Sequence, residues 1–239
     1  MADPAPGHTT RASPGATPGS PRLRSMETRR QRYSEATKQA LVEVAERLFT
    51  AHGYSATSLD AIAAGADVTK GALYHHFSGK QALFEAVFER VEDDAARAIH
   101  QALKGHQDPW EKATAGLRAF LTVVQEPRYR RIVIQEGPAV LGYERYREQE
   151  ERSTFANVLE IVRSVLNAGE WELEEDLQQT FARIFFGAMS SAGESVSSAP
   201  DPITAAANVE TAISFILAGF RALAENGVEL PSGELVDEG

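Results

Sequence analysis

Past residue 33 the apolar positions of this chain recur three and four residues apart, and no stretch alternates apolar with polar as a strand would. That period marks helices that bury one face. Leu41, Val44, Ala45, Leu48 and Phe49 stripe the first, with Ser34 as its N-cap and His52-Gly53 as its end. Leu59, Ile62 and Ala63 mark a short second helix, capped by Thr57 or Ser58, and Gly65 permits a tight turn after it. Val68, Ala72, Leu73 and Phe77 face inward from a third, capped by Thr69. After the Ser78-Gly79 break, Leu83, Phe84, Val87, Phe88 and Val91 stripe a long fourth helix to about Leu103. Asp108-Pro109 is an N-cap followed by a first-turn proline, predicting a helix to about Gln125. Pro127 and Gly137-Pro138 bracket a short helix over 128–136. Longer ones are expected over about 143–168, 174–198 and 202–226. The pattern predicts an all-α protein of about nine helices.

Composition sharpens the division of the chain. Residues 1–32 are rich in Pro, Gly, Ser, Thr and Ala and read as a disordered tail. Its arginines, Arg22, Arg24, Arg29, Arg30 and Arg32, either follow a nucleic-acid backbone or are simply solvated. Residues 33–80 form a first folded unit, 81–228 a larger helical one, and 229–239 a frayed tail. There is no cysteine, so disulfides and thiolate metal sites are excluded, which agrees with a reducing cytoplasm. No apolar run approaches the ~20 residues of a membrane span, and the first residues lack the apolar core of a signal peptide. The net charge of −10 is unevenly placed: +4 over residues 1–33, −1 over 34–80 and −13 over 81–239. An acidic body limits indiscriminate DNA affinity, because most of that affinity comes from neutralising phosphates.

The chemistry concentrates in residues 57–80. Two short helices around a turn, followed by a long helix, give the layout of a helix-turn-helix, whose second helix is shaped for the DNA major groove. Its face carries Thr69, Lys70, Gly71, Tyr74, His75 and His76. Lys70 either donates to guanine O6 and N7 or meets a sequence-blind phosphate. Gly71 lets backbone approach DNA closely. Tyr74 can reach a phosphate with its hydroxyl while its ring packs on Leu48 or Phe49. Lys80 stands at the start of the fourth helix, whose free N–H groups attract phosphate. Thr57 and Ser58 cap a helix whether or not they touch DNA. Adjacent His75 and His76 do not face each other as an i, i+4 pair would, so no metal site is expected. Ser191 and Ser195 lack a positioned histidine, and Glu148, Glu150 and Glu151 read as a solvated face. No catalytic constellation appears, so no enzyme activity and no cofactor are expected.

The run Val68-Thr69-Lys70-Gly71-Ala72-Leu73-Tyr74-His75-His76-Phe77, with Lys80 three residues on, resembles the DNA-binding domain of the TetR family of bacterial one-component repressors. The likeness is strong over residues 34 to about 90; beyond that, only length and helical layout match. It implies a three-helix DNA-binding domain, a long connecting helix, a variable helical ligand domain, and a homodimer that leaves a palindromic double-stranded operator when a small molecule binds. It also implies phosphate contacts at His76 and Lys80. Asp60 departs from the family, where a basic or polar side chain is usual, and His75 stands where an aromatic or variable residue is usual. Two other readings stand beside this one: an activator or architectural DNA binder without an effector, and a helical small-molecule binder or enzyme that kept a vestigial domain.

Two zones lie further along. Residues 128–147 mix aromatics, paired charges and a Gly-Pro break, which either opens a cavity or forms a salt-bridged elbow. Trp110, Phe120, Tyr143, Phe155 and Phe185 are aromatic candidates for a ligand pocket suited to a planar or hydrophobic molecule. Phe181, Ile184, Ala188 and Ser191 on one helix, with Ile213, Leu217 and Phe220 on the next, either complete the internal core or form a four-helix dimer interface. The resemblance points to the interface.

Overall fold

A computed structural model describes residues 21–171 and 173–228, and every regular element among them is helical. Helix α1 (Pro21–Ala56) is interrupted at Gly53, whose φ of +82° breaks the helical run. Helices α2 (Leu59–Gly65) and α3 (Lys70–His76) complete the N-terminal head. Helix α4 (Lys80–Leu103) leads out of it, followed by α5 (Pro109–Gln125). Next come α6 (Pro127–Tyr129), a π-helical stretch (Arg130–Glu136) and α7 (Gly137–Leu141). The chain ends with α8 (Tyr143–Ser153), α9 (Phe155–Ala168), α10 (Glu175–Ser198) and α11 (Pro202–Glu225).

Polar caps place the helix starts. Ser58 Oγ accepts from the Ala61 N–H, and Thr69 Oγ1 from the Ala72 N–H. Asp108 accepts from Trp110 and Glu111 ahead of α5, and Asp201 from Ile203 and Thr204 ahead of α11. Each cap satisfies N–H groups that the helix leaves without an internal partner.

Four features differ from the sequence reading. The first helix does not wait for Ser34: it begins at Pro21. Residues 22–32 hold straight-chain helix formers and neither Gly nor Pro, and Pro21 suits a first turn. Residues 1–20 and 229–239, read as tails, lie outside the described residues. Gly137-Pro138 does not break the chain. The π stretch widens the backbone just where Pro138 has no N–H to donate, so the helical path continues to Gly142, at φ +82°. The expected 143–168 helix is divided at Thr154 into α8 and α9. Finally, α11 is long and apolar enough to cross a membrane by length and composition, although no continuous apolar run stands out in it. Its Ala, Gly, Ser and Thr residues keep mean hydropathy high while dividing the large apolar residues.

Gly65 serves a different purpose from the one expected. The left-handed residue of the α2–α3 turn is Asp67, at φ +55°. A Cβ on Gly65 would stand 2.7 Å from Val44 Cγ1, so its missing side chain lets α2 lie against α1. The core runs without a gap from the head into the body: Leu41, Phe49, Ile62, Leu73 and Phe84 join Phe88, Leu121, Ile132 and Val196. A smaller cluster around Val162, Leu166, Trp171 and Ala182 closes the far end.

Candidate functional site

In the head, α3 buries Leu73 and turns Lys70, Gly71, Tyr74 and His75 to solvent, with His76 half-buried beside them. Tyr74 is half exposed rather than packed in the core; the ring that meets Phe49 is that of Tyr54, 5.8 Å away. Lys70 Nζ forms an ion pair with Asp60 at 2.7 Å, and this bond pushes the Lys70 pKa up. The departure at Asp60 therefore has a structural partner across the helix-turn-helix. The His75 and His76 rings meet edge to face at 5.3 Å. Among the described residues no group of three or more His, Asp or Glu could hold a metal.

Two residues expected at the DNA are engaged internally. Thr57 is 4% exposed, and its hydroxyl donates to the Gly53 carbonyl at 2.8 Å. Lys80 Nζ donates to the carbonyls of Tyr54 (2.7 Å) and Thr57 (2.9 Å) and lies 4.3 Å from the centre of the Tyr54 ring. A half-buried lysine held this way closes the α1–α2 corner. It is a less available phosphate ligand than an extended side chain, because its donors are already directed inward.

The same corner meets the body. The Tyr54 N–H donates to Glu136 Oε2 at 2.8 Å, and Glu136 Oε1 lies 3.2 Å from Arg131 Nε. A Cβ on Gly53 would stand 2.4 Å from Arg131 Nη2 and 2.5 Å from Glu136 Oε1. One turn away, Arg128 faces Asp94 (2.8 Å), Glu126 (3.2 Å) and Glu46 (3.5 Å), linking α4, α6 and α1. Residues 128–147 thus form the salt-bridged elbow, and they also wall a cavity.

That cavity, of about 130 Å³, lies between α5, α8, α9, α10 and α11, with Ile99 of α4 at its edge. Phe120, Phe185, Phe186, Phe220 and Met189 are among the residues that line it. Of the five aromatics expected there, Phe120 and Phe185 line it and Trp110, Tyr143 and Phe155 do not. Tyr143 is 70% exposed, and Phe155 packs behind the wall, with its ring 5.7 Å from that of Phe186. Sequence periodicity gives the inward face of each helix, but not which inward residues meet empty space.

The polar end of the cavity holds Tyr129, Tyr146, Glu150, Asn157 and Glu194. Glu150 is buried rather than part of a solvated face; Tyr146 donates to its Oε1 at 2.8 Å. Burial pushes the Glu150 pKa up, against the hydrogen bond from Tyr146 and the field of Arg147. Just behind, on α4, Glu92 is almost fully enclosed and its pKa is raised to about 7 by burial, against hydrogen bonds from Ser153 and Tyr129. Glu92 Oε1 takes no well-formed hydrogen bond. Glu92 was legible as an intruder in the apolar stripe, four residues after Phe88 and three before Ala95. The signal for Glu150 was Tyr146 one turn earlier.

The residues expected at a dimer interface divide. Ile184, Ala188 and Ser191 lie on the exposed side of α10. Phe181, Ile213, Leu217 and Phe220 are half-buried and line the cavity. The outer side of α11 instead presents Phe215, 83% exposed, with Ile216, Gly219, Ala222 and Leu223. Helices α10 and α11 are apolar or small on both sides, and the side that carries Phe181, Ile213, Leu217 and Phe220 is taken up by the cavity.

Comparison with known proteins agrees with this architecture. Residues 41–87 match the family model described as bacterial regulatory proteins, tetR family, and residues 110–220 match the tetracyclin repressor-like C-terminal domain. The chain is 28% identical over 146 residues to the HTH-type transcriptional regulator SrpR of Pseudomonas putida, across 61% of this chain and 68% of that protein. It is 35% identical over 85 residues to the HTH-type transcriptional activator FasR of Mycolicibacterium smegmatis, across 36% of this chain and 39% of that one. A crystal structure of a TetR-family transcriptional regulator from Pectobacterium atrosepticum superimposes with a TM-score of 0.69 at 28% identity, covering 79% of this chain and 95% of that one.

Proposed function

We propose, from the premise that this chain belongs to the TetR family of bacterial transcriptional regulators, that it is a homodimeric repressor released from a palindromic operator by a small molecule. The observation that carries the DNA reading is α3: its cap and Leu73 fix it to the head, while Lys70, Gly71, Tyr74 and His75 stand together in solvent. The acidic body and the exposed basic helix suit a binder that finds one sequence rather than any DNA. In a two-fold dimer, half-sites would sit about one helical turn apart, ~34–36 Å. Ligand control is supported by the cavity, whose wall residue Ile134 is two positions from Glu136, the residue joined to Tyr54 in the head. The protein works in the cytoplasm, on DNA.

The test is a mobility shift with the DNA upstream of its own gene. A sequence-selective complex that survives moderate salt is expected, and its absence would sink the proposal. Lys70→Ala should weaken binding and relax discrimination at one base pair by ~1–3 kcal/mol if the contact is bidentate. Equal weakening on all sequences would mean that Lys70 meets phosphate only. A relative described as an activator, FasR, keeps activation as the second reading of the regulatory sign. A reporter driven by the operator, with and without the protein, separates the two.

A further inference from the structure

The charge inside the cavity is of one sign. Glu150 and Glu194 both line it, and among the described residues no Lys, Arg or His does. Glu150 is more than nine-tenths buried. Its Oε1 accepts from Tyr146, and its Oε2 has no hydrogen-bond donor among the described residues. The nearby cation, Arg147, is committed elsewhere, to Glu151 at 3.1 Å and the Tyr143 hydroxyl at 3.3 Å. Glu194, on the exposed side of α10, has no ion-pair partner among the described residues. A buried carboxylate whose nearby cation is paired with another acid is expensive, and a cation inserted beside it would relieve that cost. Apart from Thr154, Asn157 and Ser190, the rest of the lining consists of aromatic rings, a thioether and aliphatic groups, which bury an apolar body and offer ring faces to a positive charge.

We infer that the cavity is a binding site for a hydrophobic monocation, an amine or quaternary ammonium on an aromatic or aliphatic body, with Glu150 as its counter-ion and Glu194 at the polar end. The volume of about 130 Å³ sets the scale. A dry cavity of ~150 Å³ holds benzene, so this one takes about one ring, with a short cationic arm reaching toward Glu194, which lines the cavity and is exposed. Tyr129 and Tyr146 frame the same end with hydroxyls. An anion such as a carboxylate would meet two like charges and no donor cation, so the lining selects against it. The inference rests on the regulator reading only in calling the occupant an effector; the site itself stands on the cavity.

The test uses a pair of probes of one shape. Benzyltrimethylammonium and neopentylbenzene differ in a single atom, nitrogen for carbon, and in charge; phenylacetate supplies the opposite sign. Binding to the full-length protein is read by calorimetry and by the shift in melting temperature at matched concentration, without DNA. The cation should bind at least about tenfold tighter than the neutral isostere, and phenylacetate should not bind. Glu150→Gln should remove most of that preference while leaving neopentylbenzene binding in place. Glu194→Gln, at an exposed position that leaves the core intact, should reduce it less, and it serves if Glu150→Gln fails to fold. Equal binding of the isosteres, tighter binding of phenylacetate, or an unchanged preference in both variants overturns the assignment. Operator release is measured separately: a cation that binds without releasing DNA supports the site and counts against the ligand-controlled repressor.

Discussion

Glu92 and Lys80 show how a single side chain can contradict its composition class. Glu92 is an acid whose pKa lies at about 7 in the folded chain against an ordinary value of 4.5, because burial penalises the charged form. The folded state therefore holds this proton more tightly than the unfolded state. Its contribution to stability is full below about pH 4.5, falls as pH rises to about 7, and stays lost above that, a loss of about 3 kcal/mol. Glu92→Gln keeps an acceptor for Ser153 and removes the charge. Its urea midpoint should exceed that of the parent at pH 8 and match it near pH 4.5; a constant difference across that range would mean that the carboxyl does not titrate there. Lys80 reads as a phosphate ligand in the sequence, yet its ammonium closes the α1–α2 corner through Tyr54 and Thr57. Lys80→Ala should lower stability by ~1.5–3 kcal/mol, the range for hydrogen bonds to a charged group. The salt slope of operator binding, counted on the folded fraction, should stay unchanged. A slope lower by about one would restore the phosphate contact.

At the scale of elements, what was legible followed from local chemistry. Asp108-Pro109, Asp201-Pro202, Ser58, Thr69 and Gly169 fix helix ends within one or two residues, because capping is decided by neighbours in sequence. What was not legible depended on distant partners. Gly137-Pro138 has the composition of a break, but the π stretch before it carries the helical path through. The head's exposed face was readable because α3 is short and has one apolar side. On α10 and α11 both sides are apolar or small, so period alone could not say which side meets the cavity and which meets solvent. The structure places Ile184 on α10 and Phe215 and Ile216 on α11 outward. An apolar face of this kind is expected to pair with a second copy. Phe215→Glu puts a charge at its most exposed ring. It should convert the proposed dimer to a monomer in sedimentation at micromolar concentration, with the helical circular-dichroism signal retained. A dimer of undiminished affinity would move the interface elsewhere.

Across the whole molecule, the question is how a cavity in the body is felt by α3. Helix α4 offers one route: its 24 residues span about 36 Å at ~1.5 Å each, from Lys80 at the head to Leu103 beyond the cavity edge. The π stretch offers a shorter one. Tyr129, just before it, and Ile134, within it, line the cavity, and Glu136 at its end holds the Tyr54 N–H. Tyr54 in turn is the carbonyl partner of Lys80, the first residue of α4, so both routes meet at one corner. Under the proposed ligand control, an occupant that moved Ile134 would act on the head through this hydrogen bond as well as through α4. Ligand and operator can be coupled only by the occupant's preference between the two arrangements, typically ~1–3 kcal/mol and equal in both directions. Glu136→Gln weakens the charge-assisted acceptor for Tyr54 and the pairing with Arg131 without touching α3 or the cavity lining. Operator affinity without ligand and benzyltrimethylammonium affinity without DNA should both stay near the parent values. The factor by which the cation weakens operator binding, ~5–150-fold for such coupling energies, should shrink toward one. Spin labels on the two α3 helices of the dimer give the geometric counterpart: the cation should shift their separation in the parent and not in Glu136→Gln. If the factor and the shift both survive the substitution, the elbow is only a brace and α4 alone carries the signal.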